Sequence, residues 1–527
     1  MPLLLLVFLL PIIGVPFIYL AAQKSAKAGA LVVALIALIN LGLVLSTIPI
    51  ILTSTSHMYT ETYEWIPVLN SHFSLFTDGI SASIATIALV LILAAAFFSI
   101  KYMEGKKNLP AYYCLLSLLS VGLVGVFITS NFLLFYFCWE LMLVPAYFII
   151  GGWGYRDSYK AAFKMFIFTH AGAVFVLLGI GLIYITTGQS DMFAAQSALL
   201  APSLLGVAKW ILIALTAGFF VKMAIVPVHL WLPDAHSEAP ATMSALLSGV
   251  IISAGAYAIL RLSLATVLPA VELGDPTFAM NFLHGLAVFG VITAFFGAFI
   301  AIVETDIKRI IAYSSIAHMG YIMFGLSLFR AATALIYAQT SSVQAGELLT
   351  LIVAASGAVL GTVLHIVNHA VSKGLFFLSA GSVMHQTEER DVRKMGGLAG
   401  RMPFTGASSI VAALSIAGSP PFACFWSEFF IFVGAFALIR TDFFYVIPTI
   451  FMLIATVLSL AYSLRFVNRV FLGQPKTEKT EAPEGSRRSL DVPNSMKLAM
   501  GILIVFVIVL GVYPAFFINL IKGVALI

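Results

Sequence analysis

A chain of 527 residues that is 61% hydrophobic and only 10% charged cannot hide its apolar surface in a water-soluble core, and its mean hydropathy of +1.05 places its surroundings in lipid. The net charge of +5 is spread over short loops instead of being gathered into a basic patch, which excludes a nucleic-acid-binding face. Cys114, Cys138 and Cys424 all lie in apolar runs without CxxC spacing, which excludes a Cys-rich iron–sulfur or structural zinc site and a disulfide framework.

Apolar runs of about 20 residues, each enough to cross a bilayer's hydrocarbon core, recur from end to end. They predict an all-α polytopic membrane protein, one membrane domain over 1–527. Window-length reasoning gives about 14 transmembrane helices. They fall at 2–21, 28–52, 78–100, 112–129, 132–151, 161–186, 207–229, 240–263, 280–303, 309–328, 349–385, 405–440, 443–468 and 497–521. The first run lacks a basic leading segment and is too long for a signal-peptide core, so it reads as a retained span. The runs 349–385 and 405–440 exceed a simple crossing and are expected to be tilted or interrupted, the second at Gly418, Pro420 and Pro421.

The loop 53–75 carries Glu61, Glu64 and aromatics but no Lys or Arg, as an outer loop should. One set of alternate loops holds eighteen Lys and Arg, among them Lys24, Lys101, Arg156, Lys308, Arg390 and Arg488; the opposite set holds Lys209, Arg330, Arg440 and Lys522. That bias predicts the first set on the cytoplasmic side of an inner (plasma) membrane and both termini outside. The stretch 473–495, rich in Pro, Gly and Ser, is the expected flexible cytoplasmic loop.

Ionisable residues inside the spans are few, and each is costly there. Glu140 stands in NFLLFYFCWELMLVPAYF five residues before Pro145, the spacing that also separates Lys222 from Pro227 in GFFVKMAIVPVHLWLPDAHSEAP. Proline removes a backbone donor and clashes one turn upstream, so the helix should break beside Lys222. A buried carboxylate and ammonium each stabilise the other's charged form. A movement that makes and breaks a Glu140–Lys222 pair therefore releases or takes up a proton; a static structural ion pair is the competing reading. His170 follows Lys164, and His318 lies in IKRIIAYSSIAHMGY. His365, His369 and Lys373 succeed one another at four-residue intervals in HIVNHAVSKG, one stripe on a helix face. Glu428 follows the double proline in SPPFACFWSEFF. His365 and His369 have the spacing of a zinc pair, but no HExxH and no third ligand stands nearby in the sequence, so no metal is expected. There is no GxGxxG after a strand, no Walker A and no haem CxxCH, so redox and nucleotide chemistry, if it occurs at all, must lie on other chains. Two broken helices in corresponding halves point to inverted repeats, here 112–263 and 280–468.

The segments FCWELMLVPAYFIIGGWG, KMAIVPVHLWLPDAHSEAPATMSALLSG, ETDIKRIIAYSSIAHMGY, NHAVSKGLFFLSAGSV and DVRKMGGL resemble the signature segments of the antiporter-like, proton-translocating membrane subunits of respiratory complex I. That family extends to archaeal F420H2 dehydrogenases and to subunits of multisubunit sodium/proton antiporters. The resemblance runs from about Asp78 to Arg469. It implies 14 helices with two inverted five-helix repeats, and proton translocation coupled to electron transfer from NADH or F420H2 to quinone on partner subunits. Flavin, iron–sulfur clusters and quinone would reside on those partners and no cofactor on this chain. It also implies Glu140 and Lys222 as the input pair, His318, His365, His369 and Lys373 as the central relay, and Glu428 as the output carboxylate. The alternative within the resemblance is a member of a multisubunit sodium/proton antiporter.

Two departures stand out. The family's lysine in a segment like GILLKTAAYGLLR is replaced here by Ser253 in GVIISAGAYAILR, so the path from Lys222 to the histidines is expected to run through water and Ser253. Lys373 resembles the L-type and antiporter chains, whereas Glu428 resembles the M type.

Overall fold

The computed structural model describes residues 2–338, 345–474 and 490–525. Among the described residues, twelve helices are long and apolar enough to cross a membrane. The pair Leu3–Ile13 and Val15–Lys24, bent by 40° about Gly14, makes one further broken span. The run expected at 405–440 divides into two short apolar helices, Pro403–Ile416 and Ala423–Leu438. The protein is thus a multi-pass helical membrane protein. Lys476, Lys479, Arg487 and Arg488 of the expected flexible loop lie outside the described residues.

Several boundaries differ from the sequence reading. The run at 349–385 lies within one uninterrupted helix, Ala345–Thr387, of 43 residues. Glycine and β-branched residues in it do not break the hydrogen-bond ladder, because neighbouring helices pack it on both sides. The helix expected to stop near 263 continues to Gly274; its most apolar stretch is enclosed by protein, and only its end, at Leu273, is exposed. It contains two π-helical stretches, Leu247–Ile251 and Ile259–Val267. The last run ends at Val512, and Pro514 starts a separate helix, Ala515–Ala525.

The loop 53–75 is not irregular. Met58–Ile66 and Ser71–Asp78 pair as an antiparallel hairpin, built from alternating Thr and aromatic residues that suit a pleated surface. Glu61 reaches from it to the amides of Leu4 and Leu5 at 2.9 and 3.0 Å. Its carboxylate thereby satisfies free donors at the start of the first helix, where the helix dipole favours negative charge. Tyr59 and Tyr63 donate their hydroxyls to the same carboxylate, and burial beside it pushes the Tyr59 hydroxyl up to about 12.

Close helix packing rests on glycine. A Cβ on Gly320 would come within 2.4 Å of the Gly290 carbonyl oxygen, so Pro276–Val303 and Ile307–Ala338 touch backbone to backbone, the small-residue packing expected in lipid.

The two breaks share one local geometry. Leu205–Met223 ends with Ala224 in the left-handed region, where the Ile225 amide bonds the Phe220 carbonyl and the Ala224 amide the Val221 carbonyl. Pro403–Ile416 ends with Gly418 in the left-handed region, Ser419 bonding Leu414 and Gly418 bonding Ser415. Both are Schellman closures, which satisfy the last carbonyls and turn the chain off the helix axis. Prolines 227, 420 and 421, which lack amide donors, then prevent the helix from resuming.

Ion pairs gather the basic loops on one face. Arg390 bridges Glu238 at 3.0 Å and Asp306 at 2.8 Å, while Asp234 takes Lys164 at 2.6 Å and Arg309 at 2.9 Å. Tyr155 donates its amide to the Glu238 carbonyl, and burial holds its hydroxyl well above its ordinary range. The hairpin and the Asp78–Arg261 pair belong to the opposite ends of the helices.

Candidate functional site

The four-residue stripe of Ala345–Thr387 does place His365, His369 and Lys373 on one face, and that face meets Ile307–Ala338. His318 Nδ1 lies 3.0 Å from His365 Nε2. The imidazole of His318 lies against both neighbours, its centroid 5.2 Å from that of His365 and 5.6 Å from the tilted ring of His369. One turn before His318, Ser314 accepts the Lys373 ammonium, which also reaches the Ile311 carbonyl at 3.4 Å. All four side chains are buried. The two helices run antiparallel, so residues a turn apart on one meet residues a turn apart on the other, and the cluster becomes a ladder across their interface.

The ladder extends on both sides. His365 Nδ1 meets Ser427 Oγ at 2.9 Å, and His318 Nε2 meets the Tyr462 hydroxyl at 3.1 Å, itself 2.7 Å from Ser459 Oγ. Glu428 follows Ser427 at the start of the second half of the broken helix. Its carboxylate rests against Gly418, where a Cβ would meet Oε2 at 2.5 Å, and its Oε1 is buried without a hydrogen-bond partner. The geometry that positions Glu428 is therefore the break itself.

The first half differs from the sequence reading. Glu140 and Lys222 form no closed ion pair. Glu140 Oε2 lies 3.3 Å from His170 Nδ1, Glu140 Oε1 has no partner, and the Lys222 ammonium sits 4.7 Å over the Trp139 ring. Glu140 and Trp139 are adjacent on one helix and so point about 100° apart; Trp139 packs on the broken helix, its ring 5.3 Å from that of Phe219. The Trp231 indole donates to the Val221 carbonyl at 3.0 Å, which fixes the chain after the break against the helix bearing Lys222.

Ser253 is fully buried, its hydroxyl has no partner, and its short α-helical stretch Ile252–Ala258 lies between the two π-helical segments. Widened turns of that kind recur at functional sites. Ser248 of the same long helix bonds Ser315 Oγ at 2.8 Å, one residue from the Lys373 contact.

Several residues of the site escape the sequence reading. His236 is fully buried, stacked 4.5 Å from Phe377, and neither ring nitrogen has a partner; the PDAHSEAP stretch contains it, but nothing in the stretch separates it from His229. Lys308 reads as a cytoplasmic loop residue because Arg309 adjoins it, yet it is buried and bonds the Ala239 carbonyl. Arg330, which reads as part of the opposite loops, is buried and paired with Glu272 at 2.8 Å. Tyr462 carries no sequence signal, being one aromatic among many. The expectation that no third metal ligand lies near His365 is also corrected: one atom each from His318, His365 and Glu428 lie within 4.8 Å of one another, a proximity that sequence spacing hides.

Residues 129–342 and 336–459 match the family described as NADH:quinone oxidoreductase/Mrp antiporter, TM. The chain belongs to this family. The matched residues include Glu140, Lys222, Ser253, the histidine ladder, Lys373 and Glu428. NADH-quinone oxidoreductase subunit M of Pseudomonas aeruginosa is 32% identical over 459 residues, covering 85% of this chain and 81% of that protein. F(420)H(2) dehydrogenase subunit M of Methanosarcina mazei is 30% identical over 482 residues, 90% of this chain and 88% of that one. An Na(+)/H(+) antiporter subunit of Alkalihalophilus pseudofirmus is 32% identical over 523 residues, 96% of this chain and 60% of that longer protein. In structure, the archaeal membrane-bound sulfane sulfur reductase superposes with a TM-score of 0.78 at 26% identity, over 97% of this chain and 76% of that one. Respiratory complex I from Thermus thermophilus shares the fold, with a TM-score of 0.78 at 19% identity over 99% of both chains.

Proposed function

We propose that this chain is a proton-translocating membrane subunit of a complex I-like NADH (or F420H2):quinone oxidoreductase, moving protons while partner subunits carry the electrons. The observation that supports it is the buried ladder itself. The His318–His365 contact at 3.0 Å continues through Ser427 towards Glu428 and through Tyr462 to Ser459. Imidazole nitrogens and hydroxyls at hydrogen-bond distance pass a proton by donating on one side and accepting on the other. Ionisable groups are held this deep in a membrane protein when they carry function. In this reading Lys222 with Glu140 is the input side, His369 and Lys373 flank the relay, and Glu428 is the output carboxylate. The halves 112–263 and 280–468 act as inverted repeats around their breaks. The termini lie outside the cytoplasm, flavin, iron–sulfur clusters and quinone belong to partners, and this chain holds no redox group.

Glu140 and His170 sit towards the outside of the helix bundle, His170 half-exposed. An adjoining membrane protein of the same complex would cover them, since a lipid-facing charge is costly. A role within a sodium/proton antiporter is the second reading, favoured by the match to an antiporter chain over 96% of this one.

The test is transport by the assembled complex in proteoliposomes. Electron-donor oxidation should drive proton uptake or release that His318→Ala or Lys373→Ala reduces at least tenfold. Proton movement that follows an imposed sodium gradient without any electron donor would favour the antiporter reading instead.

A further inference from the structure

The helices Ile307–Ala338, Ala345–Thr387 and Ala423–Leu438 bring three metal-ligating side chains to one point. One atom each from His318, His365 and Glu428 lie within 4.8 Å of one another, and all three residues are buried. We propose that His318, His365 and Glu428 form a binding site for one zinc ion in the membrane interior. The site goes beyond the relay reading and rests on the arrangement of the ligands, whether or not protons pass through them.

The donor set fits. Two imidazole nitrogens and one carboxylate, with a fourth position open, form a recurrent zinc environment, with metal–ligand lengths of about 2.0–2.2 Å. Tetrahedral coordination at those lengths separates the ligand atoms by roughly 3.4 Å. The facing nitrogens of His318 and His365 are already 3.0 Å apart. A Glu428 oxygen lies within 4.8 Å of the ligand nitrogens, and its Oε1 has no bond to lose.

The outer nitrogens are held as well. Metal-bound histidines usually engage their second nitrogen with another polar group, which fixes the ring. Here His318 Nε2 meets the Tyr462 hydroxyl at 3.1 Å and His365 Nδ1 meets Ser427 Oγ at 2.9 Å. With both outer nitrogens protonated, two lone pairs face each other across 3.0 Å. Facing lone pairs at that separation are the arrangement a bound metal ion would use. His369 is not part of the set, since the atoms that lie within 4.8 Å of one another come from His318, His365 and Glu428.

The experiment uses the full chain within its purified complex, stripped with a chelator and titrated with ZnCl2. Bound zinc is counted and its shell is read by zinc K-edge X-ray absorption. The wild type is expected to bind one zinc more than His365→Asn. In His365→Cys the zinc should stay and gain one sulfur neighbour at about 2.3 Å. Equal zinc content in wild type and His365→Asn, or no sulfur neighbour in His365→Cys, overturns the site. Proton transport in the same samples separates this proposal from the relay. Zinc that binds with the sulfur signature but leaves transport unchanged supports the site and refutes the relay. Loss of transport in His365→Asn without any difference in zinc refutes the site alone.

Discussion

The Lys222 ammonium lies 4.7 Å from the centre of the Trp139 ring, so the charge beside the first broken helix rests on an aromatic face. A desolvated cation–π contact of this kind contributes about 2 kcal/mol. It holds the ammonium without neutralising it, as a carboxylate would.

Removing the ammonium and removing its rest should therefore differ. Lys222→Met keeps the volume and is expected to leave the complex assembled while lowering coupled proton transport at least tenfold. Trp139→Leu should reduce transport less, and Trp139→Phe, which retains a π face, least of all. Transport is read as a pH change inside proteoliposomes, and assembly on native gels. An assembled Lys222→Met complex with wild-type transport removes Lys222 from the mechanism.

Ser253 offers one donor and two acceptor sites, all unused by protein, in a helical stretch enclosed by protein on every side. If water bridges Lys222 to the histidines here, Ser253→Leu dries the path and slows transport more than assembly, while Ser253→Lys is tolerated. A purely structural helix predicts the opposite order, since an unpartnered buried lysine costs several kcal/mol. Normal transport in Ser253→Leu together with failed assembly in Ser253→Lys would falsify the hydrated path.

The spans, the breaks and the stripe are legible in the sequence because each follows from local chemistry: lipid thickness sets run length, proline stops a helix, and four-residue spacing sets a face. The partners of the ionisable groups are not. Whether Glu140 meets Lys222 or His170 depends on how two helices are rotated about their axes, and apolar residues surround both positions. The hairpin is hidden for a different reason. Its Thr-Glu-Thr-Tyr-Glu alternation is present in the sequence, but the absence of Lys and Arg between two strong spans gives the stretch the look of an irregular outer loop. Lys308 illustrates a third cause, since its neighbour Arg309 is half-exposed while it is not.

Asp78 caps the Gly79–Tyr102 helix and bonds Arg261, 183 residues away, with both side chains buried. Breaking a buried pair from one side costs about 3–5 kcal/mol because the remaining charge is stranded. Asp78→Asn and Arg261→Met are each expected to lower the thermal stability of the complex markedly. The double variant should be less damaged than the sum of the two. Additive losses in a double-mutant cycle would show that the pair is not a unit.

Gly418 has a φ of +66°, and a Cβ there meets the Glu428 carboxylate at 2.5 Å. Gly418→Ala is therefore expected to cost about 1–2 kcal/mol from the backbone alone and to push the carboxylate away from the break. Transport should fall further than in Ala224→Gly, where the change relieves a left-handed alanine and should stabilise the fold. Parallel stability and transport measurements on the two variants check this, and equal transport in both refutes a positioning role for Gly418.

The uninterrupted Ala345–Thr387 helix has a mechanical consequence. At 43 residues it is about 64 Å long, roughly twice the hydrocarbon thickness, and its ladder of backbone bonds makes it a stiff rod. His365, His369 and Lys373 are spaced along it at intervals of about 6 Å, and they cannot be shifted relative to one another without unwinding it. Compliance must lie elsewhere, in the two Schellman-closed breaks and in the side chains that face the rod. Glu428 sits beside one break and Lys222 beside the other, so the groups free to change their distance from the fixed ones are those at the two ends of the path.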